Sequence, residues 1–540
     1  MQSLKPHHQK ERKMDPKSSN LHQIWQQLVE GPYGATIHFN NPISFPLIFL
    51  LFLFFLILLK LFRAKNINLL PPSPPQLPII GNLHQIGALP HLSLATLSNK
   101  YGPIMFLKLG HAPTLIISSA KLAREVMKSQ DIIFCNRAQN TAANHLLYGC
   151  HDIAFGSCGE LWRQAKKICV VELLSAKRVD SFQHVRDEEV AILIKRIRKS
   201  CDSSSSTNLN KLLLATINNI ISRCVLGEKF EDENGDSKFG GVTRKIMELL
   251  TRFCVADFFP GFGLIDVVRG FIGELETTFK TMDAFFDKVI EKHREKMGES
   301  DDKSDEQDFV DIMLQLQQNK TSDYRFTRDN LKAILLDMFV GGTDTTSVGL
   351  EWTMAELIKN PTIMKKVQKE VREIVGKKPK IETKDTEKME YMKCVIKESL
   401  RLHPPAPLLV PRETLKIANL GGYQIPSKTN VWINAWAIQR DPKIWESPNE
   451  FIPERFMGKN SFDFKGQDFE FLPFGSGRRK CPGISFGLAS FEYALANLLY
   501  WFDWKLQEEM AGELDMSEEH GLTDHKKIPL HLKPTPFNSM

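Results

Sequence analysis

The chain has no CxxC pair. Its nine cysteines, at 135, 150, 158, 169, 201, 224, 254, 394 and 481, are odd in number and irregularly spaced. That excludes a zinc ribbon and a disulfide framework, and it fits a reducing compartment such as the cytosol. A basic stripe interleaved with aromatics is also missing, and the net charge is only +6 over 540 residues. No nucleic-acid partner is therefore expected. No internal repeat occurs, and no break in composition divides the body. Hydrophobic residues at 42% and charged residues at 25% are typical of a globular protein. The slight positive balance is compatible with an anionic membrane surface or an acidic protein partner.

Long apolar runs are scarce, with one exception. From Ile43 to Phe62 the sequence reads ISFPLIFLLFLFFLILLKLF, long enough to span a bilayer as a helix. No small-residue cleavage site follows it, and Arg63 and Lys65 stand directly after it. The expectation is a retained single-pass anchor at 43–62 with the body on the cytoplasmic side. Residues 1–42 are basic and read as a disordered extension, with Met14 as a second start. Residues 63–82 read as a basic, proline-rich hinge, stiffened by Pro71, Pro72, Pro74, Pro75 and Pro78. Residues 83–540 form the body.

Within the body, Gly102–Ser119 alternates and is β-branched, as in a short hairpin. Strand signals return at Leu409–Glu413, Gly421–Ile425 and Asn430–Asn434. SCDSSSSTN and GESDDKSDEQD read as solvated loops. Most of the rest is helical by period, so the fold class is mainly α with minor sheets.

Five stretches carry chemistry. In FLPFGSGRRKCPG, Phe471–Gly483, one cysteine sits in a glycine-rich loop after two arginines. Glycines permit unusual backbone, and positive charge favours a metal-binding thiolate. A second stretch, Asn330–Asn360, has an apolar stripe at Leu331, Ile334, Leu335, Met338 and Phe339. Its middle, Gly341-Gly342-Thr343-Asp344-Thr345-Thr346, is poor helix former. Two readings stay open here: one long helix kinked by Thr hydroxyls, or two helices with Asp344 as a cap. In KESLRLHPP, Glu398 and Arg401 share a helical face, and the helix must stop near His403. PERF supplies Arg455. ELWRQAKKIC, Glu160–Cys169, is amphipathic, with Trp162 beside Arg163, Lys166 and Lys167.

In this order and spacing, the five resemble the cytochrome P-450 monooxygenases, within them the large plant 71-type clan of membrane-anchored enzymes of specialised metabolism. The resemblance runs from the anchor to about residue 535. It implies the cytochrome P-450 fold with an N-terminal transmembrane helix, and 83–540 as its monooxygenase domain. It implies haem b, with Cys481 as the axial thiolate on iron. Phe474, Arg479 and Gly483 match the haem loop, with Arg479 on a propionate. Trp162, Lys166 and Arg412 look like further propionate partners, Lys166 standing where the family often has Arg. Asp344 and Thr345 match the oxygen-activating acid–alcohol pair. Glu398, Arg401 and Arg455 match a buried ion-pair triad.

The activity implied is insertion of one oxygen atom of O2 into a lipophilic small molecule, with a terpenoid favoured. Pocket positions by analogy are Phe134–Tyr148, Met338, Phe339, Ala406–Val410, Leu522 and Thr523. Electrons would come from an NADPH-dependent cytochrome P-450 reductase on the endoplasmic reticulum membrane, with Arg163, Lys166 and Lys167 helping to dock it. A haem-thiolate isomerase or dehydratase, or a non-enzymatic haem binder, is the alternative. Such enzymes usually lack the acid–alcohol pair and the anchor.

Overall fold

The computed structural model describes residues 46, 48–55, 70–202, 206–229, 238–299, 307–318, 327–458, 461–506 and 514–537. The chain divides into two compact units, 1–69 and 70–540. Of the first, residues 48–55 are helical and expose Ile48 to Phe55. Most of the expected anchor at 43–62 lies outside the described residues. Among the described residues no helix is long and apolar enough to cross a membrane.

The second unit is built around one helix, Arg328–Lys359, of 32 residues. It is uninterrupted through the Gly-Gly-Thr-Asp-Thr-Thr stretch, so the two-helix reading falls. Asp344 is not a cap. The helix starts instead at Thr327, whose hydroxyl accepts from the Asn330 amide while Asn330 Oδ1 reaches back to the Thr327 amide. Burial on nearly every side rewards this helix despite its weak propensity, because packing outweighs the cost of glycine. Leu209–Leu226 packs along it, as does Ile484–Trp501, which leaves the cysteine loop. Gly342 allows the first approach: a Cβ there would lie 2.6 Å from Ile221 Cδ1.

The hairpin forms as expected, Ile104–Leu109 antiparallel to Ala112–Ile117. Ala112–Ile117 pairs in parallel with Asn430–Ile433, which pairs antiparallel with Arg412–Glu413. The strand expected from Leu409 is thus only two residues long. Tyr423–Ile425 folds back on Ala418–Leu420. Two further pairs, Phe502–Leu506 with His531–Pro536 and Glu518–Glu519 with His525–Lys526, are not among the expected strands, although Phe502–Leu506 alternates apolar and polar residues. Of the two polar loops, the first is helical up to Asp202 and strand again at Thr207–Asn208.

The Glu398–Arg401 pair is buried, not a solvated face, and Arg455 joins it half-buried. Glu398 and Arg401 are both 0% exposed and pair at 2.7 Å, and Arg455 Nε reaches Glu398 at 3.0 Å. The remaining Arg401 donors reach the carbonyls of Gln439, Pro448 and Glu450. Glu398 also accepts from the Ile452 amide. The helix Glu390–Leu402 ends at His403, where the two prolines require.

Candidate functional site

A cavity of about 350 Å³ lies between the central helix and the cysteine loop. Gly341, Gly342, Thr345 and Thr346 form one wall, and Pro473 to Gly475 with Arg479 to Gly483 form the other. Cys481 is deeply enclosed by protein yet presents accessible surface, because the cavity is what it faces. Its amide donates to the Phe474 carbonyl at 3.1 Å, which closes the loop. Gly477, at φ +70°, has no alternative: a Cβ would meet the Met127 carbonyl oxygen at 2.2 Å. Across the cavity a Cβ on Gly341 would meet nothing within 4 Å. Phe474 lines the cavity and packs edge-on against Phe464.

The loop's arginines do not serve the sulfur, contrary to the expectation of a charge-stabilised thiolate. Arg478 turns to Asp131 at 3.3 Å. Arg479 donates to the carbonyls of Cys135, Ile153 and Gly156 and lies 3.9 Å over the Trp162 ring. Burial pushes the Cys481 thiol up, and the opposing influences are the Gly483 amide, Lys166 and Lys480. The protein alone therefore holds a thiol there, and a bound metal would have to displace the proton.

At one end of the cavity four cations converge. Arg412 pairs with Asp131 at 2.8 Å and donates to the Ser476 carbonyl. Lys166 donates to the carbonyls of Arg478 and Lys480 and lines the cavity. Arg137, which no motif marked, is fully enclosed and bonds the carbonyls of Ala154, Val410 and Pro411. Trp162 donates Nε1–H to the Ile153 carbonyl at 3.0 Å.

Burial and then the Arg479 charge hold both Arg137 and Lys166 below their ordinary values, Lys166 down to about 8. Among the described residues one ion-paired carboxylate, Asp131, answers this cluster. Buried cations with carbonyl partners only are costly unless an anion arrives. A cavity with a thiol at its floor and four cations at one end fits an iron porphyrin with two carboxylates.

On the opposite wall the acid and alcohol separate. Thr345 lines the cavity. The Asp344 carboxyl accepts instead from the Thr523 hydroxyl, and burial pushes its pKa up. Met338, Ala406, Leu409, Val410, Leu522 and Thr523 line the cavity as expected. Phe339 does not: it is fully buried in the helical core. Of the segment Phe134–Tyr148, Arg137 and Leu147 line it.

Sequence reasoning missed Asp337. It lines the cavity two turns before Asp344, accepts from the Ile153 amide at 2.6 Å, and is pushed up by burial and then by Asp152. An acid inside the apolar run ILLDMF was its signal.

The sequence profile of the cytochrome P-450 family matches residues 71–531. The chain belongs to that family. It is a plant cytochrome P-450 of the 71 clan, as its relatives place it. The phenylacetaldehyde oxime monooxygenase of Prunus mume is 51% identical over 527 residues, covering 96% of this chain and 99% of the relative. Strychnine-11-hydroxylase of Strychnos nux-vomica is 47% identical over 500 residues, covering 92% and 97%. A zebra fish cytochrome P-450 structure with progesterone superposes with a TM-score of 0.71 at 26% identity, covering 84% of this chain and 100% of that one. The protein is thus a haem-thiolate monooxygenase, an oxidoreductase acting on small molecules with O2 and a redox partner reductase. Its cofactor is haem b, with iron bound by a cysteine thiolate.

Proposed function

We propose that Cys481 is the thiolate ligand and that the enzyme oxidises a lipophilic molecule held beneath the central helix. The observation that carries this is the placement of the Cys481 side chain at the floor of the cavity, opposite Gly341 and Thr345. When bound, haem iron supplies the reductive activation of O2, with the thiolate's electron donation favouring O–O cleavage. Arg137, Lys166, Arg412, Arg479 and Trp162 would hold the two propionates. Gly483 would keep its amide on the sulfur, and Phe474 would pack beside it. Thr345 holds a proton-donating hydroxyl at the open side of the cavity, and Asp344 resupplies protons by way of Thr523. The Leu522, Leu409 and Val410 side chains exclude water from the substrate and orient it by shape.

The relatives' names, an oxime monooxygenase, a strychnine hydroxylase and a desmethylyatein synthase, do not converge on one substrate. We therefore hold the substrate at a lipophilic small molecule and do not retain a preference for terpenoids. The electron donor is proposed to be an NADPH-dependent cytochrome P-450 reductase. The proposed location is the endoplasmic reticulum membrane, with residues 43–62 as a single-pass anchor, 63–82 as a hinge and 83–540 facing the cytoplasm. The apolar run and the lysine and arginine after it support that topology.

The test is Cys481→Ser. The expected result is loss of the thiolate-type band of the reduced, CO-bound protein. A folded Ser variant that kept the parental band would remove Cys481 as the ligand.

A further inference from the structure

His91, near the start of the helix Pro90–Tyr101, is fully buried and far from the cysteine loop in sequence. Its ring stands between two acids. Nε2 lies 3.1 Å from Glu518 Oε2, and Nδ1 lies 2.8 Å from Asp524 Oδ2. A neutral imidazole has one N–H and one lone pair, so it can answer only one of them. The doubly protonated ring answers both, Glu518 by a hydrogen bond and Asp524 by charge, since the Nδ1 contact is close but off the hydrogen-bond angle. The same geometry argues against a shared metal ion, since the acids occupy opposite ring nitrogens.

Those two acids bracket the segment that enters the cavity. Glu518 and Asp524 stand at its base, and Leu522 and Thr523 line the cavity at its tip. Thr523 also donates to the Asp344 carboxyl. The base is tied on other sides too. The Asn434 side chain donates to the His91 carbonyl at 2.8 Å, and Trp352 Nε1–H donates to the Asp524 carbonyl at 3.1 Å. The Asp524 amide donates to the Pro405 carbonyl.

We propose that His91, as an imidazolium, is a positioning residue for the oxygenation: it pins both acids at the base of loop 520–524 and so sets where Leu522 and Thr523 stand and whether Thr523 meets Asp344. The inference rests on the cavity reading given above. Other charged groups around it are His520 on Asp524 at 2.7 Å, and His403 on Glu518 at 3.7 Å and on Glu356 at 2.8 Å. Arg440 feels Glu518, and Lys526 feels Glu356.

The direction with pH follows. Burial opposes the His91 charge, but Asp524 and Glu518 outweigh it and raise its pKa above 6.5. Against burial, His403 and His91 hold Glu518 down to about 2. The latch is therefore intact on the acid side and is released as pH rises through the raised His91 value.

The experiment uses the membrane-reconstituted holoenzyme, with 4-phenylimidazole as the ligand probe. Amide exchange of the peptide spanning 518–526, corrected for the intrinsic rate, is followed from pH 6 to 9 beside the probe's affinity. The wild type should lose protection as pH rises. His91→Asn should lower protection by at least about tenfold at pH 7, a lower bound for removal of a buried pair at a loop base. It should also abolish the pH step and weaken the probe several-fold, with the reduced-CO band unchanged. Protection, pH step and affinity within twofold of wild type would overturn the proposal. Where His91→Asn does not fold, Glu518→Gln decides by the same pH step. A wild type lacking the thiolate CO band would sink the cavity reading, while the pH step would still decide the latch.

Discussion

The Thr345 hydroxyl donates to the Gly341 carbonyl, one turn back on the central helix, at 2.7 Å. At rest the bond holds the hydroxyl's proton on the helix, so Thr345 donates into the cavity only by giving that bond up. Such back-bonding does not itself strengthen a helix, so the unbroken turn here rests on the packing that buries it. Thr345→Ala should therefore keep the helix, the haem and ligand binding, and lose proton delivery. Product per NADPH should fall about 10²-fold, with peroxide released in its place. Unchanged coupling would take Thr345 out of the mechanism.

Lys166 gives a pH signature. Burial and the neighbouring Arg479 hold it down to about 8. Pairing with a haem carboxylate would raise that value, so binding takes up a proton, and haem affinity should fall as pH climbs through about 8. Transfer of haem to apomyoglobin should be several-fold faster at pH 9 than at pH 7. Lys166→Arg keeps its charge and should flatten the slope. Equal slopes in the two proteins would mean that Lys166 is not a propionate partner.

Glu398→Ala leaves Arg401 with its charge buried and unpaired. Removing one partner of such a pair costs about 3–5 kcal/mol. The guanidinium midpoint of the holoprotein should drop accordingly, and expression should suffer. A loss below about 1 kcal/mol would show the triad to be dispensable, with backbone carbonyls sufficing for Arg401.

Sidedness has a chemical readout. Asn319-Lys320-Thr321 is a formal glycosylation acceptor that lies outside the described residues. With the body in the cytoplasm it stays unmodified. A glycosidase-sensitive gel shift in a eukaryotic host that disappears in Asn319→Gln would reverse the topology and exclude a cytoplasmic electron donor.

What could be read beforehand divides along physical lines. Local chemistry was legible. Gly477 and Cys481 sit in a loop whose composition announces a backbone constraint, and the prolines after His403 end a helix by sterics alone. Side-chain direction was not legible. Arg478 and Arg479 adjoin the thiol in sequence, yet Asp131 and three carbonyls draw them away. The question of one helix or two turned on burial that only the folded core supplies. Phe339 follows Met338 directly, and a 100° step on the helix separates a wall residue from a core residue. Arg137 stands in no pattern, because its partners are carbonyls of distant segments.

The floor and the roof of the cavity reach the ribosome at different times. Thr345 is synthesised well before Cys481, and the Leu522–Thr523 tip comes later still. A nascent fragment shorter than 483 residues lacks the cysteine wall, so cofactor capture must wait until most of the chain is made. In the finished chain four like charges crowd one end of the slot until haem enters. A cell starved of haem should therefore accumulate not an idle enzyme but a strained polypeptide, short-lived under quality control, and the supply of porphyrin should set how much of this protein survives.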